Sequence, residues 1–529
     1  MSSVIAQAND SAPSRPAPPR YPLEGLRVLI ADPNHASRSV LREAVTALGG
    51  NRVEVGSSAS DVLRIVQSSP PELILCEYRL AGSVARPRDG QQLLEEMRAR
   101  KLIPRSTVFV VITGERTYQS VVAAAEFTPD AYLLKPFSVD KLTLKLSHAM
   151  ERRALLRKAW RLLEGDSADL AVHECRRLAK AHPTWFAEIR RLEIESLESL
   201  QRFDEAETVI ASVLELAPAG WARMALARIR AAAGRPAEAE DLLHALIAEK
   251  PHYMPAYDLL ARVKESLGLD HEALDVLERA ATVSDHNVER LRRTGIVAQR
   301  MGLFGRAETA FTRVVERVRD SALLTGEDYA NLAGALVAQN KDDGADELAA
   351  EQKRTMRGHP EVEFIASLID FQRARRAGAQ VEADAALDAL MAAITADGER
   401  TAPGLQIQVL EACFLGDRLE VARPIAQALL ARPGLERRWH ESLEELLSIK
   451  PRVKKVAPKP TPVLPELAPA EELVAKLEAA GWEDVVGAQC RALLGQLEEV
   501  IQEDSDSGKQ FAALQSRFNA VLARYGMRR

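Results

Sequence analysis

The sequence predicts two architectures in tandem: a doubly wound α/β domain with a five-stranded parallel sheet, then an all-α array of repeated helical hairpins. Three observations carry this. Short apolar runs alternate with amphipathic helical stretches up to about residue 150. Beyond that point only helical periodicity remains, with short breaks. Within the helical part, small and apolar residues recur every 34 positions.

Taken in order, residues 1–22 carry five prolines and few apolar side chains. They bury too little surface to offset the entropy of ordering, which predicts a disordered tail over 1–24. They also lack the apolar core of a secretory signal. The α/β domain is assigned to 25–150. LRVLIA (26–31), VEVGS (53–57), LILCEY (73–78), VFVVIT (108–113) and AYLLK (131–135) read as strands, and VDKLTLKLSHAM (139–150) as the last helix. Continuous apolar runs suit strands covered on both faces. In such sheets, sites form outside the carboxyl ends of the strands. Asp32, Glu77, Thr113 and Lys135 stand at or just past four of those ends.

Residues 151–450 read as repeats. Gly234, Gly268 and Gly302 form one column, and Ala239, Ala273 and Ala307 a second. Ala227, Ala261 and Gly295 form a third, and Leu243, Leu277 and Phe311 a fourth. Glycine suits the turn between two helices. The small residues let paired helices approach, and the large apolar residue fills the core on the same face as the alanine. The register is looser outside these units. Ala206 and Val421 are placed in the alanine column. Ala345 lies 38 residues after Ala307, which predicts an extended second helix near VVERVRDSALL. Residues 451–470 hold six prolines and four Lys or Arg, the composition of a stiff solvated linker. Residues 471–529 read as one or two amphipathic helices, with a break near EDSDSGK.

The formal net charge is −6, which argues against nucleic acid or an anionic membrane as the main partner. No apolar stretch approaches the ~18 residues of a membrane span. The four cysteines are isolated, so no disulfide framework or zinc site is expected and a reducing cytoplasm is the default location. Phosphate-loop, zinc-protease, nucleophile-elbow and dinucleotide motifs are all missing. The reading is of a protein that is not an enzyme, with no resident metal or cofactor.

The first segment resembles a response-regulator receiver domain, of flavodoxin-like fold. LRVLIAD ends in Asp32, where the family has the first acid of a pair, followed by Arg38 and Leu41 in the next helix. LILCEY places Glu77 at the phosphoacceptor position, and VVITGE places Thr113 at the switch hydroxyl. AYLLKPF supplies the switch aromatic Tyr132 and Lys135. The resemblance implies two-component signalling. Two departures bear on chemistry. The second acid is replaced by Pro33, which has no side-chain oxygen for Mg²⁺. The acceptor is a glutamate, whose carboxylate sits one bond, ~1.5 Å, further out. Phosphoryl transfer depends on in-line positioning and on a metal that neutralises charge, so Mg²⁺ binding is expected to be weak or absent. Three readings of the pocket stand side by side: a decayed site holding a Glu77–Lys135 ion pair, a carboxylate that imitates the phosphorylated state, and a working phosphoacceptor.

The 34-residue period resembles tetratricopeptide repeats, with Trp221, Tyr257 and Tyr329 in first helices. That resemblance implies a superhelix with a partner-binding groove. Arg228 and Arg262 occupy one position in successive units, with Arg292 nearby, either as a basic stripe for acidic ligands or as a solvated arginine face. The implied partners are proteins, met through the receiver face and the repeat groove. A histidine kinase or another signalling protein is one such partner, and a homodimer through the last strand–helix face another.

Overall fold

The computed structural model describes residues 23–80, 88–114, 129–284, 287–319, 321–357, 359, 361–397, 401–416, 418–432, 435, 437–448, 467–480, 484–498 and 506–525. The chain divides into two compact units, Met1–Leu446 and Leu447–Arg529.

The first unit opens with β1 (Arg27–Ala31), α1 (His35–Ala47), β2 (Arg52–Gly56), α2 (Ala59–Ser68), β3 (Leu73–Glu77), α3 (Gly90–Ala99), β4 (Val108–Thr113) and β5 (Ala131–Leu134). The five strands pair in parallel in the order β2, β1, β3, β4, β5. The continuous apolar runs follow from burial on both faces. Leu73, Leu75, Val108, Val110 and Ile112 pack with α1 on one side. Ile74, Cys76, Phe109 and Val111 pack with α2 and α3 on the other. Between β3 and α3 a short antiparallel pair, Arg79–Leu80 with Arg88–Asp89, forms the base of the loop that follows Glu77.

The last helix, α4, spans Val139–Glu164, so the boundary placed at residue 150 falls within one continuous helix. Its sequence holds no Gly or Pro before Gly165, and nothing ends it earlier. Its first half, with Leu142, Leu146 and Met150, covers the sheet. Its second half, with Leu156, Ala159 and Trp160, packs with Cys175, Leu178, Ile189 and Leu192 of the next two helices.

Helical hairpins follow. The three read most clearly from sequence are Gly220–Ala232 with Pro236–Glu249, Met254–Ser266 with Asp270–Val283, and Val288–Arg300 with Phe304–Val318. Gly234, Gly268 and Gly302 sit at their turns in the left-handed region, with φ of 77°, 72° and 71°. Asp166, Gln201, Asn340 and Gly378 adopt the same conformation at the flanking hairpins. At all seven turns the following N–H bonds the carbonyl five residues back, as in Arg235 to Arg230 and Lys341 to Leu336. This Schellman geometry satisfies the orphan carbonyls of the first helix. Asp, Asn and Gln tolerate it at some cost, so the turns persist where the glycine column stops.

The alanine column runs further than the sequence period. Ala171, Ala206, Ala239, Ala273, Ala307, Ala345, Ala383 and Ala422 are each the fourth residue of a second helix, and all are buried. Val421 is not in the column: it is 51% exposed, and Ala422 takes the place. The helix starts at Leu419, and one residue of phase turns a side chain by a quarter of the circumference. The extra residues before Ala345 do not extend the second helix appreciably either. Phe304–Val318 has 15 residues against 14 in Asp270–Val283. The insertion lies between Val318 and Gly326, where the Ser321 hydroxyl donates to Glu96 of α3 at 2.8 Å.

In the second unit, Ala468–Ala480, Asp484–Glu498 and Asp506–Arg524 pack around Val474, Leu477, Cys490, Phe511 and Phe518. Among the described residues there are three helices rather than one or two, and the first begins inside the span read as linker. The tail 1–22 and residues 449–466 lie outside the described residues. Among the described residues no helix is long and apolar enough to cross a membrane.

All four cysteines are free and buried. Burial pushes the Cys175 and Cys413 thiols up to about 12 and Cys490 to about 11. Thiolate is the reactive form, so a thiol reagent at neutral pH should label the native chain only on unfolding. Rapid native labelling, read by mass spectrometry, would contradict this packing.

Candidate functional site

β1, β3, β4 and β5 deliver Asp32, Glu77, Thr113 and Lys135 to one end of the sheet, because parallel strands all point their carboxyl ends the same way. Lys135 Nζ lies 2.7 Å from Asp32 Oδ2 and 2.5 Å from Glu77 Oε2, bridging the two carboxylates. Asp32 is 1% exposed, and its other contacts are local: Oδ1 accepts from the Asn34 N–H and Oδ2 from the Ser37 hydroxyl. Asn34 caps α1 through the Ser37 N–H, and that cap fixes where the serine points. Arg38 donates to the carbonyls of Asp32 and Pro33 and so pins the loop. Glu77 is similarly committed, with Oε1 accepting from the Tyr78 N–H and Oε2 from Lys135.

Burial lowers the Lys135 pKa, but hydrogen bonds and charge from Asp32 and Glu77 outweigh it, and the net direction is upward. The ammonium therefore stays charged at neutral pH. Pro33 is exposed and contributes only its carbonyl. The donor set fits a magnesium ion poorly. The cation between the carboxylates is already the lysine, and among the described residues no group of three His, Cys, Asp or Glu is placed to hold a metal. Thr113 is buried. The Lys135 N–H bonds the Thr113 carbonyl, and a cis peptide links Lys135 to Pro136. Tyr132 is half-buried against the α2–α3 face.

Sequence reasoning brought these four strand-end residues together, but it missed Ser37. The available signal was Asn34 three residues ahead of it, at the start of an amphipathic run.

Among the repeats, Ala227, Ala239, Ala261, Ala273 and Ala307 are fully buried, as are Leu243, Leu277 and Phe311. At Gly295 an added Cβ would stand 2.6 Å from Cζ and 2.7 Å from Cδ1 of Phe311. Where the large column switches from Leu to Phe, the small column switches from Ala to Gly. The arginines divide. Arg228 grips Glu198 with Nε 2.7 Å from the carboxylate, and Arg292 grips Asp328 at 2.7 and 2.8 Å. Both tie one hairpin to a neighbour instead of standing free in a stripe. Arg262 is exposed, and its pKa is lowered by burial of its surroundings and by Arg293 and Arg228.

A family model described as response regulator receiver domain matches residues 28–147. A relative of Rickettsia typhi named as an NtrX-like response regulator is 30% identical over 134 residues, 25% of this chain and 26% of that protein. A chemotaxis protein named CheY, of Rhizobium etli, is 24% identical over 119 residues, 22% of this chain and 88% of that protein. The match thus spans about a quarter of the NtrX-like relative. A CheY-like receiver domain protein from Methanospirillum hungatei is similar in structure, at 22% identity and a TM-score of 0.21, over 24% of this chain and 96% of that one. Strand order, strand-end residues and family match agree on one assignment: residues 28–147 are a response regulator receiver domain.

Proposed function

We propose that this chain is a cytoplasmic two-component signalling adaptor without enzymatic activity. Its receiver pocket is held in one state by a carboxylate–lysine–carboxylate bridge, and its tetratricopeptide-type hairpins hold a protein partner. The observation that carries this reading is Lys135 Nζ at 2.5 and 2.7 Å from Glu77 and Asp32, beside a proline where a metal-binding acid would stand. Both Glu77 oxygens already accept a hydrogen bond, so a phosphoryl group would have to share or displace one of these contacts. The longer Glu77 side chain reaches toward Lys135 as a phosphoryl oxygen would. A histidine kinase or another signalling protein is the partner class for the receiver face. Arg262, exposed and repelled by its arginine neighbours, is the groove position suited to an acidic group.

The test is incubation of the full chain with labelled acetyl phosphate and Mg²⁺. No acid-labile label is expected. Stoichiometric labelling that disappears in Glu77→Gln would replace this reading with phosphorylation-dependent regulation.

A further inference from the structure

The receiver and the first hairpins enclose a cleft of about 1380 Å³. One wall carries Arg98 of α3, Arg105 in the following segment, and Tyr132 of β5. The opposite wall carries Arg152 and Trp160 of α4, and Arg191 on the helix Phe186–Ser199. Lys101 stands at the same cleft, so five basic residues line it against four acids.

The acids are largely committed. Asp130 pairs with Arg152. Glu195 takes both terminal nitrogens of Arg105, at 2.6 and 2.9 Å, and Glu164 accepts the Arg105 N–H at 3.0 Å. Glu188, on the helix that carries Arg191, attracts Arg152. Arg105 is compensated, held despite burial above its ordinary range by Glu195 and Glu164, but the balance differs at Arg98 and Arg152. Burial and Arg105 hold the Arg98 guanidinium below its ordinary range. Burial, Arg191 and Arg98 do the same to Arg152, Glu188 notwithstanding. The Arg152 Nε is buried with no hydrogen-bond partner. Among the described residues Arg191 makes no ion pair, and it lies over the Trp221 ring, 4.6 Å from its centroid. An anion entering between these side chains would relieve repulsion already present and meet planar donors suited to carboxylates.

We propose that this cleft is a docking site for a carboxylate-rich peptide segment of a partner protein. Its volume exceeds the ~300–1,000 Å³ of small-molecule sites, and Leu102, Leu156 and Leu192 supply apolar wall for a chain of several residues. The site requires both the receiver and the repeats. The proposal rests on the adaptor reading only for the protein nature of its ligand.

The test is a fluorescence-anisotropy titration of the full chain with a fluorescein-labelled octa-glutamate peptide at low salt. Arg98→Ala and Arg191→Ala should each weaken binding about tenfold, while Arg306→Ala, exposed on Phe304–Val318 and outside the cleft lining, should leave it unchanged. Thermal melts confirm that each variant is folded. Undetectable binding by the unmodified chain would overturn the proposal, as would unchanged binding in both cleft variants. Loss on Arg262→Ala instead would also overturn it, moving the peptide to the groove while leaving the adaptor reading intact. Acid-labile phosphorylation of Glu77, in contrast, would sink the adaptor reading without touching the titration.

Discussion

Glu77→Gln should change capture of the receiver's partner about tenfold, equivalent to ~1.4 kcal/mol, with the fold intact. The amide keeps the shape and one acceptor but removes the charge facing Lys135 Nζ at 2.5 Å. If the carboxylate stands in for a phosphoryl group, the switch surface loses its fixed state. Quantitative pull-down from the native cell, followed by mass spectrometry, reads the change. Identical capture of every partner would leave only an ion pair in a decayed pocket. The bridge also sets a pH dependence. Lys135 has a raised pKa in the folded chain, against an ordinary value of 10.5. Its contribution to stability is therefore complete below that value and is lost as pH rises through the folded pKa. Thermal melts from neutral to strongly alkaline pH should show a loss in the wild type that is smaller in Glu77→Gln.

Ala273→Leu should cost roughly 1–3 kcal/mol by overpacking its hairpin, because Ala273 is fully buried between paired helices. Gly295→Ala should be comparable despite adding a single carbon, since the Phe311 ring already occupies the position of the new Cβ. The pair offers a sharper experiment. Phe311→Leu restores the Ala–Leu combination found at Ala227 with Leu243 and at Ala261 with Leu277. Adding it to Gly295→Ala should recover stability that neither single change retains. Urea or thermal unfolding measures all four chains. Additive losses would mean that the two columns do not touch.

The receiver fold was legible because β1, β3 and β4 carry continuous apolar runs, a pattern that needs no long-range information when both faces are covered; β2, at the sheet edge with Glu54 and Val55 exposed, was read from its place in the alternation. The pocket was legible for the same reason: parallel strands deliver their ends to one place. The hairpins were legible where glycine turns recur every 34 residues, at Gly234, Gly268 and Gly302. They were not where Asp166, Gln201 and Asn340 hold the same left-handed turn, because a period search sees residue type and the turn requires only a conformation. Val421 was misplaced by one residue because both it and Ala422 are small and apolar, and only the helix phase separates them.

Two features belong to the tertiary structure alone. Arg228 and Arg292 look alike on paper to Arg262, yet Glu198 and Asp328 on neighbouring hairpins claim the first two. The partners lie about one repeat away in the chain, so stacking and not local sequence decides which guanidinium is spent on cohesion. The basic cleft is the second. Arg98 and Arg191 are 93 positions apart, and only the unbroken course of α4 from the sheet into the first hairpin brings their walls face to face. Local chemistry is enough to write strands, turns and a pocket at strand ends. Charge pairing between distant segments depends on distance in space, which one-dimensional order does not contain.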